Sequence, residues 1–302
     1  MMEPIKPEPI EPAGDEPQAK LHSLADLLSA IEADADRRNI ARALGNKLGP
    51  VTGLTSLDKM LGGYLAPGVH IVHGDPGAGK TAFALQIAAD CEFPALYVSA
   101  EMPMIELARR ITARITKTFL SRLKSGEMNA SQAIDLANRA FKKCRNLYLL
   151  DATAGPAPVE HIARCIRQIK QKTASDQMLV VVDSVHSWVS GTRTDEKEYD
   201  ALTAGLADLR ALASLMEGPV IGIAERNRAN RKEAGMNASA GTRAFEYGAE
   251  TVISLSEPEP KEPDPTVGEK RINAVIQKNR HDAAGVHAKL AFHGALQQFR
   301  EV

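Results

Sequence analysis

The sequence predicts an α/β protein in which helices flank a mostly parallel central sheet and antiparallel hairpin strands close the C-terminal end. Short, continuous apolar runs at 94–99, 178–183 and 219–223 alternate with helical patterns, as is typical of parallel strands that are buried on both faces. A glycine-rich loop at 74–81 joins the first strand to a helix. The last strands follow one another without helices between them, and this spacing favours an antiparallel edge.

Composition limits the classes of protein to which the chain can belong. With 302 residues, of which 44% are hydrophobic, it has enough apolar material for one large core and room for an appendage. A formal net charge of -1 excludes a surface that binds nucleic acid over its whole extent, so any such contact has to be local. The three cysteines are far apart and form no zinc or disulfide pattern, and no apolar run is long enough to span a membrane. We expect a reduced, cytoplasmic protein.

The N-terminal part of the chain differs in character from the rest. Residues 1–20 contain five prolines and five acidic residues, a composition that buries too little apolar surface to order a chain, so we predict a disordered tail. Residues 21–48 contain an amphipathic helix, because the large apolar side chains from Leu24 to Ile31 share one face and Ser23 can cap the start. This helix could pack against its own core or dock on a neighbouring subunit, and the sequence leaves both roles open.

A single core, 49–302, follows the helix. A turn and a short helix at 52–63 precede the first strand. From their apolar runs, strands are predicted at 68–72, 94–99, 147–151, 178–183, 219–223, 251–255, 271–278, 286–292 and 296–299. From their periodicity, helices are predicted at 82–89, 104–117, 131–143, 159–172 and 199–216. The polar segment 225–242 is predicted as a loop, and the acidic segment 257–269 as a hairpin tip.

Residues 74–81 match the phosphate-loop pattern, a glycine-rich turn that ends in Gly-Lys-Thr between a strand and a helix. Small residues let successive backbone N–H groups surround phosphates, and the following helix directs its positive end toward them. Lys80 is predicted to reach the β and γ phosphates, and the Thr81 hydroxyl to bind Mg²⁺. A turn that only joins two elements would not need Gly-Lys-Thr. The predicted ATP-binding residues are Gly74, Asp75, Pro76, Gly77, Ala78, Gly79, Lys80 and Thr81.

Two carboxylates stand where strands of the predicted sheet end. Asp183 follows four apolar residues, which is the arrangement of an aspartate that orients Mg²⁺ opposite Thr81. Glu101 follows the strand 94–99 and is a candidate for the base that activates the attacking water. Each could instead be an ordinary strand-end or loop acid. Because ligands of open α/β sheets lie at the carboxyl ends of the strands, we favour the functional roles.

Five segments in order along the chain, 52–81, 99–102, 181–185, 240–255 and 277–280, together resemble the RecA-type ATPase core. The resemblance is to the bacterial RadA recombination proteins and to the motor domain of DnaB-type replicative helicases, and it covers most of the chain. It implies a RecA-like P-loop fold for 49–302, with ATP and Mg²⁺ as cofactors. It also implies a homo-oligomer, a ring or filament with a hexamer expected, that hydrolyses ATP between subunits and holds single-stranded DNA.

The resemblance also implies roles for individual residues. Glu101 matches the catalytic glutamate, while Lys278 and Arg280 match residues that reach into the neighbouring subunit's nucleotide site and stabilise charge on the γ phosphate. From the sequence alone, Lys278 and Arg280 could equally be a solvated strand end. In the RadA pattern Phe-Gly follows the Lys-Asn-Arg run, whereas His281 and Asp282 follow it here.

A basic segment follows the strand 219–223. Residues 225–243 carry five cations and two acids, so the segment could follow a DNA backbone or could be a mobile, solvated loop. The five predicted DNA-binding cations are Arg226, Arg228, Arg231, Lys232 and Arg243. Glu225 stands where the helicases have a glutamine that senses the γ phosphate, and an acid there would repel phosphate unless paired. The segment 187–194 is a second candidate, in which Trp188 could stack on a base or pack on the sheet.

Taken together, the sequence predicts an ATP-hydrolysing motor that acts on single-stranded DNA in replication or recombination. The alternative is an ATP-driven oligomeric protein switch, like KaiC, that binds no DNA. A small-molecule kinase is a third reading, and the absence of an arginine-rich lid argues against it.

Overall fold

The computed structural model describes residues 21–194, 196–225, 248–259 and 262–302. The chain divides into two compact units, Met1–Asn46 and Lys47–Val302. The tail predicted at 1–20 lies outside the described residues.

The described part of the first unit is helical. A 3₁₀ turn at Ala25–Leu27 leads into α1 (Leu28–Leu44). As predicted, Ser23 caps this start: its Oγ accepts the N–H of Asp26 at 3.3 Å, and its own N–H donates to the Asp26 carboxylate at 2.8 Å. Such a reciprocal pair satisfies two donors that helical bonding leaves open. The described part of this unit is one helix with its short 3₁₀ turn. It therefore contains no second element against which the apolar face of that helix could pack.

The second unit contains the sheet and its covering helices. Its helices are α2 (Thr55–Met60), α3 (Lys80–Asp90), α4 (Met104–Thr116), α5 (Ala130–Lys143), α6 (Val159–Thr173), α7 (Val185–Thr192) and α8 (Glu198–Met216). Its strands are β1 (Gly68–Gly74), β2 (Ala95–Ser99), β3 (Leu147–Asp151), β4 (Leu179–Asp183), β5 (Pro219–Ile223), β6 (Thr251–Ser256), β7 (Glu269–Asn279), β8 (His287–His293) and β9 (Gln298–Glu301).

Within the described residues, nine strands form one sheet in the order β3-β2-β4-β5-β1-β6-β7-β8-β9. The six strands from β3 to β6 are parallel, whereas β7, β8 and β9 add to the edge as antiparallel neighbours. The predicted fold class, a mostly parallel sheet with antiparallel C-terminal strands, is therefore confirmed. Strand β5 lies between β1 and β4. The residues that follow β1 and those that follow β4 therefore lie on either side of the carboxyl end of β5.

Both faces of the sheet are buried, and successive side chains of β4 contribute alternately to the cores on the two faces. In β4, Leu179 and Val181 belong to the core beneath α3 and α4, while Val180 and Val182 belong to the core beneath α6, α7 and α8. Side chains alternate between faces along a strand. A continuous apolar run therefore supplies both cores, and Asp183, next in the odd series, points to the face of α3.

One predicted strand boundary is wrong. The last strand, predicted at 296–299, is displaced, because a 3₁₀ turn occupies Gly294–Leu296 and β9 begins only at Gln298. His293 Nδ1 accepts the N–H of Leu296 at 3.3 Å, which stabilises the turn. The segment 187–194, the second candidate for DNA contact, lies largely in α7. Among the described helices, none has both the length and the apolar character needed to cross a bilayer.

Candidate functional site

The carboxyl ends of the parallel strands bring the predicted site residues to one edge of the sheet. β1 runs into the phosphate loop, β2 ends two residues before Glu101, and β4 ends at Asp183. β2 and β4 are hydrogen-bonded neighbours in which Ser99 pairs with Asp183. Because parallel strands all end on the same side, these three segments converge although they are far apart in sequence.

The phosphate loop has a backbone that only glycine accommodates at key points. Gly77 and Gly79 have φ of 83° and 87°, in the left-handed region that favours glycine. A Cβ on Gly79 would lie 2.9 Å from the rings of Phe292 and Phe299. One on Gly74 would lie 2.4 Å from a backbone oxygen of β6. The loop backbone therefore lies close to β6 and to the rings of Phe292 and Phe299. Helix α3 starts directly after the loop.

Lys80 lies over this loop. Its Nζ donates to the carbonyl oxygens of Gly74 at 3.0 Å and of Asp75 at 3.4 Å. The ammonium group and the first N–H groups of α3 therefore present positive charge on the same side of the loop. This is the chemistry that binds an anionic phosphate chain.

Asp183 is the most buried acid at this edge, with 1% of its surface exposed. Its Oδ2 accepts a hydrogen bond from the Tyr97 hydroxyl at 2.6 Å, and the Thr81 side chain lies near the carboxylate. Burial raises the pKa of Asp183, the hydrogen bond from Tyr97 and the Thr81 side chain oppose this, and the negative charge of Glu101 adds to it. The sequence predicted the pairing of Asp183 with Thr81 but did not identify Tyr97.

A magnesium ion fits the oxygen groups that meet here. Among the described residues, no group of three or more His, Cys, Asp or Glu side chains could hold a metal ion. Mg²⁺ does not need such a cage, because it is usually held by one or two carboxylates together with phosphates and waters. The carboxylate of Asp183 and the hydroxyl of Thr81 are hard oxygen ligands of the kind it prefers.

Glu101 is exposed and is held by a neighbour that the sequence did not reveal. Ser187 Oγ donates to Glu101 Oε1 at 3.0 Å. Ser187 lies in the first turn of α7, which Ser184 caps by accepting the Ser187 N–H at 3.3 Å. A serine directly after a strand-ending aspartate is an N-cap signal that could have predicted this helix.

The end of β5 is connected to the same helix. The Glu225 N–H donates to His186 Nδ1 at 3.4 Å. Burial lowers the pKa of His186, and the surrounding acids, including Glu225 and Glu101, partly oppose that shift. Residues 186 and 187 therefore contact both Glu225 and the candidate base.

Trp188 packs on the sheet, and this decides between the two roles that the sequence left open. Its surface is 2% exposed, and Nε1 donates to the Ala157 carbonyl at 2.7 Å. A base cannot stack on a ring that the core already covers.

Lys278 and Arg280 do not join the other site residues within one chain. Lys278 Nζ donates to the Ala249 carbonyl at 2.8 Å, and the Arg280 guanidinium lies 3.2 Å from the Glu250 carboxylate. The Arg280 N–H donates to the Glu250 carbonyl, and the Glu250 N–H donates to the Val69 carbonyl. Val69 lies five positions before the end of β1. At about 3.3 Å per residue, Arg280 thus lies about 16 Å along the strand from the phosphate loop.

The five predicted DNA-binding cations, Arg226, Arg228, Arg231, Lys232 and Arg243, lie outside the described residues.

Comparison with known proteins identifies a family model and several relatives that are similar to the core. A family model described as the DnaB-like helicase C-terminal domain matches residues 49–301. The replicative DNA helicase DnaB of Haemophilus influenzae is 24% identical over 214 residues, which are 67% of this chain and 45% of that protein. The Nostoc sp. DnaB is 27% identical over 218 residues, or 71% of this chain and 24% of that protein. The chain therefore spans less than half the length of these relatives.

Solved structures share the fold. A DnaB-like replicative helicase, studied for its interactions with primase, has a TM-score of 0.74 and 20% identity, covering 94% of this chain and 68% of that one. The RadB recombinase has a TM-score of 0.52 and 22% identity, covering 83% and 98%. A KaiC-like protein from Pyrococcus horikoshii has a TM-score of 0.56 and 18% identity, covering 83% and 97%. At these identities the likeness concerns the fold alone.

Proposed function

We propose, since this chain belongs to the DnaB-like helicase C-terminal domain family and has its ATPase fold, that it hydrolyses ATP to drive movement on single-stranded DNA. The resemblance to RecA-type motor domains that the sequence predicted is confirmed by this family match. The observation that carries the proposal is the convergence of Lys80, Thr81, Asp183 and Glu101 at one edge of the sheet. Replication is the favoured setting, because the matching relatives are replicative helicases.

Each of these residues has a distinct task in the proposed reaction. The backbone N–H groups from Gly77 to Thr81 and the Lys80 ammonium bind the phosphate chain. Thr81 and Asp183 would hold Mg²⁺, which supplies charge neutralisation on the phosphate oxygens. Glu101 accepts the proton of the attacking water, and Ser187 keeps that carboxylate in one orientation. Lys80 then stabilises the charge that develops on the transferred phosphoryl group.

The position of Arg280 supports an assembly in which subunits share sites. Arg280 lies too far along the sheet to touch a nucleotide on its own phosphate loop, and the Lys278 ammonium donates to the Ala249 carbonyl instead, so a role of the two cations in catalysis requires a second subunit. We propose a homo-oligomer, a hexameric ring, in which they stabilise the γ phosphate bound next door. In this organisation 49–302 is the motor, and the helix within 21–48 docks on a neighbour.

The proposed contact with DNA rests on charge and position. The segment with Arg226, Arg228, Arg231, Lys232 and Arg243 follows β5 in the chain, directly after Glu225, whose N–H donates to His186. In a ring, each subunit would contribute one such segment, so the modest charge of one copy is multiplied along the strand. Without a base-reading motif, we expect little sequence preference.

ATP turnover measured with and without single-stranded DNA at low salt tests this function. We expect DNA to raise turnover, and a mass measurement with nucleotide present to give an oligomer. Lys80→Ala should lose turnover under both conditions, whereas Lys124→Ala, a surface control, should behave as the wild type. Turnover that saturating DNA leaves unchanged would contradict the motor proposal.

A nucleotide-driven protein switch is the second candidate, and Glu225 is the observation in its favour. An acid at the position from which helicases sense the γ phosphate weakens the expected link between hydrolysis and DNA. In that case the oligomer would still depend on nucleotide, but DNA would neither bind nor change turnover.

A further inference from the structure

Tyr97 occupies a place in the sheet where an apolar side chain would be expected. It lies in β2 between Leu96 and Val98, and its ring packs in the core beneath α3 together with Val181 of β4. None of its surface is exposed. A phenol hydroxyl in such a place is costly unless it forms a hydrogen bond.

The hydroxyl of Tyr97 has its partner in the carboxylate that the proposed metal site depends on. It donates to Asp183 Oδ2 at 2.6 Å, a short distance of the kind formed with ionised acceptors. The register explains the contact: Tyr97 pairs with Val181, two residues before Asp183, so the two side chains share a face and lie on a diagonal. Both groups are buried, so water competes little for this hydrogen bond.

We propose that Tyr97 is a positioning residue for the magnesium site: its hydroxyl occupies one oxygen of Asp183 and holds the carboxylate in the orientation that binds the ion. This inference rests on the proposed function of Asp183 and Thr81. The hydroxyl donates a hydrogen bond to a buried acid, and it limits rotation of the carboxylate. The tyrosine acts through Asp183 and does not itself touch nucleotide or metal.

Tyr97→Phe tests the inference, because it removes the hydroxyl and keeps the ring. In the full chain, binding of a fluorescent ADP is titrated with Mg²⁺. We expect the half-saturating Mg²⁺ concentration to rise about tenfold, the size of a lost hydrogen bond to a charged group. Affinity for the nucleotide in EDTA should not change, and excess Mg²⁺ should restore most of the turnover.

Tyr148→Phe is the matched control. Tyr148 lies in β3, paired with Leu96 of β2, and its ring contacts the Lys172 ammonium 5.3 Å away. The substitution removes the same atom from the adjacent strand without touching Asp183, so the Mg²⁺ requirement should equal that of the wild type.

A purely structural role for Tyr97 predicts a different result. Tyr97→Phe would then lower the free energy of unfolding in urea but leave the Mg²⁺ midpoint unchanged, which would overturn the inference. In an Asp183→Asn background, the Tyr97→Phe change should no longer alter the midpoint, whereas an independent effect would add to that of Asp183→Asn. If nucleotide binding by the wild type does not respond to Mg²⁺, the proposed metal site fails instead.

Discussion

Glu101 and Ser187 lie 86 positions apart in the chain and are joined by one hydrogen bond of 3.0 Å. Glu101 is exposed, and a free glutamate samples many rotamers, so a single donor decides how often its carboxylate faces a water at the γ phosphate. Ser187 can hold it because α7 starts directly after β4, whose last residue pairs with the end of β2. At the scale of single residues, the site depends on such supporting contacts as well as on the motif residues.

We predict that Ser187→Ala lowers the maximal rate of ATP hydrolysis about two- to tenfold, the range for one lost hydrogen bond. Nucleotide affinity should stay the same, because Glu101 does not bind the phosphates. Steady-state turnover and equilibrium nucleotide binding measure the two effects. Ser190→Ala, an exposed serine in the same helix, is the control. Equal turnover in the two variants would show that Ser187 does not orient the base.

His70 makes a prediction about stability and pH. It is 1% exposed in the centre of β1, and burial lowers its pKa from 6.5 to about 4. Between these values the unfolded chain binds a proton that the folded protein does not, so stability rises with pH across this range. Lowering the pH from 7 to 4 should cost up to about 3 kcal/mol through this residue. Urea unfolding of wild type and His70→Gln at several pH values measures it, and equal pH dependence would contradict it.

At the scale of elements, the packing of α7 on α8 positions Ser187. Gly205 of α8 lies against Val189 of α7 so closely that a Cβ would be 2.3 Å from the valine Cγ1. The absence of a side chain at this crossing allows the two helices to approach. Trp188 adjoins the same crossing and is buried with them. The orientation of α7 therefore depends on a glycine in another helix.

We predict that Gly205→Ala lowers the free energy of unfolding by about 1–3 kcal/mol, because the added methyl forces the helices apart. Turnover should fall as well, since α7 carries Ser187. Gly191→Ala in α7 is the control, because a Cβ there meets nothing within 4 Å. Urea unfolding measures both variants, and a Gly205→Ala protein as stable as the wild type would refute the tight crossing.

At the scale of the whole molecule, the two groups of site residues lie toward opposite ends of the parallel strands. Lys80, Thr81 and Asp183 are at the carboxyl ends, while Arg280, two residues after Lys278, is near the amino ends, about 16 Å away by strand length. Within one chain, Lys80 and Arg280 therefore cannot contact the same nucleotide. It suits a head-to-tail assembly, in which one subunit presents the far end of its sheet to the site of the next.

We predict that Arg280→Ala binds nucleotide but loses turnover, while Lys80→Ala loses nucleotide binding. Mixed in equal amounts, the two variants should recover activity, because about a quarter of the interfaces in a random mixture combine an intact loop with an intact arginine. ATP hydrolysis against mixing ratio measures this recovery. A mixture as inactive as its components would argue against shared sites.

The sequence by itself determined the parts of this protein that are local. The phosphate loop, the strand that ends at Asp183 and the position of Glu101 could be read from consecutive residues, because glycine geometry and apolar runs act over a few positions. Likewise, the family resemblance follows from motifs and their order.

Only the tertiary structure decided which distant residues meet. The hydrogen bond from Tyr97 to Asp183, that from Ser187 to Glu101, and the burial of Trp188 all depend on β2 lying beside β4 and on α7 packing against α8. Strand order and helix packing are set by how the whole core fills its volume, so no local pattern specifies these contacts.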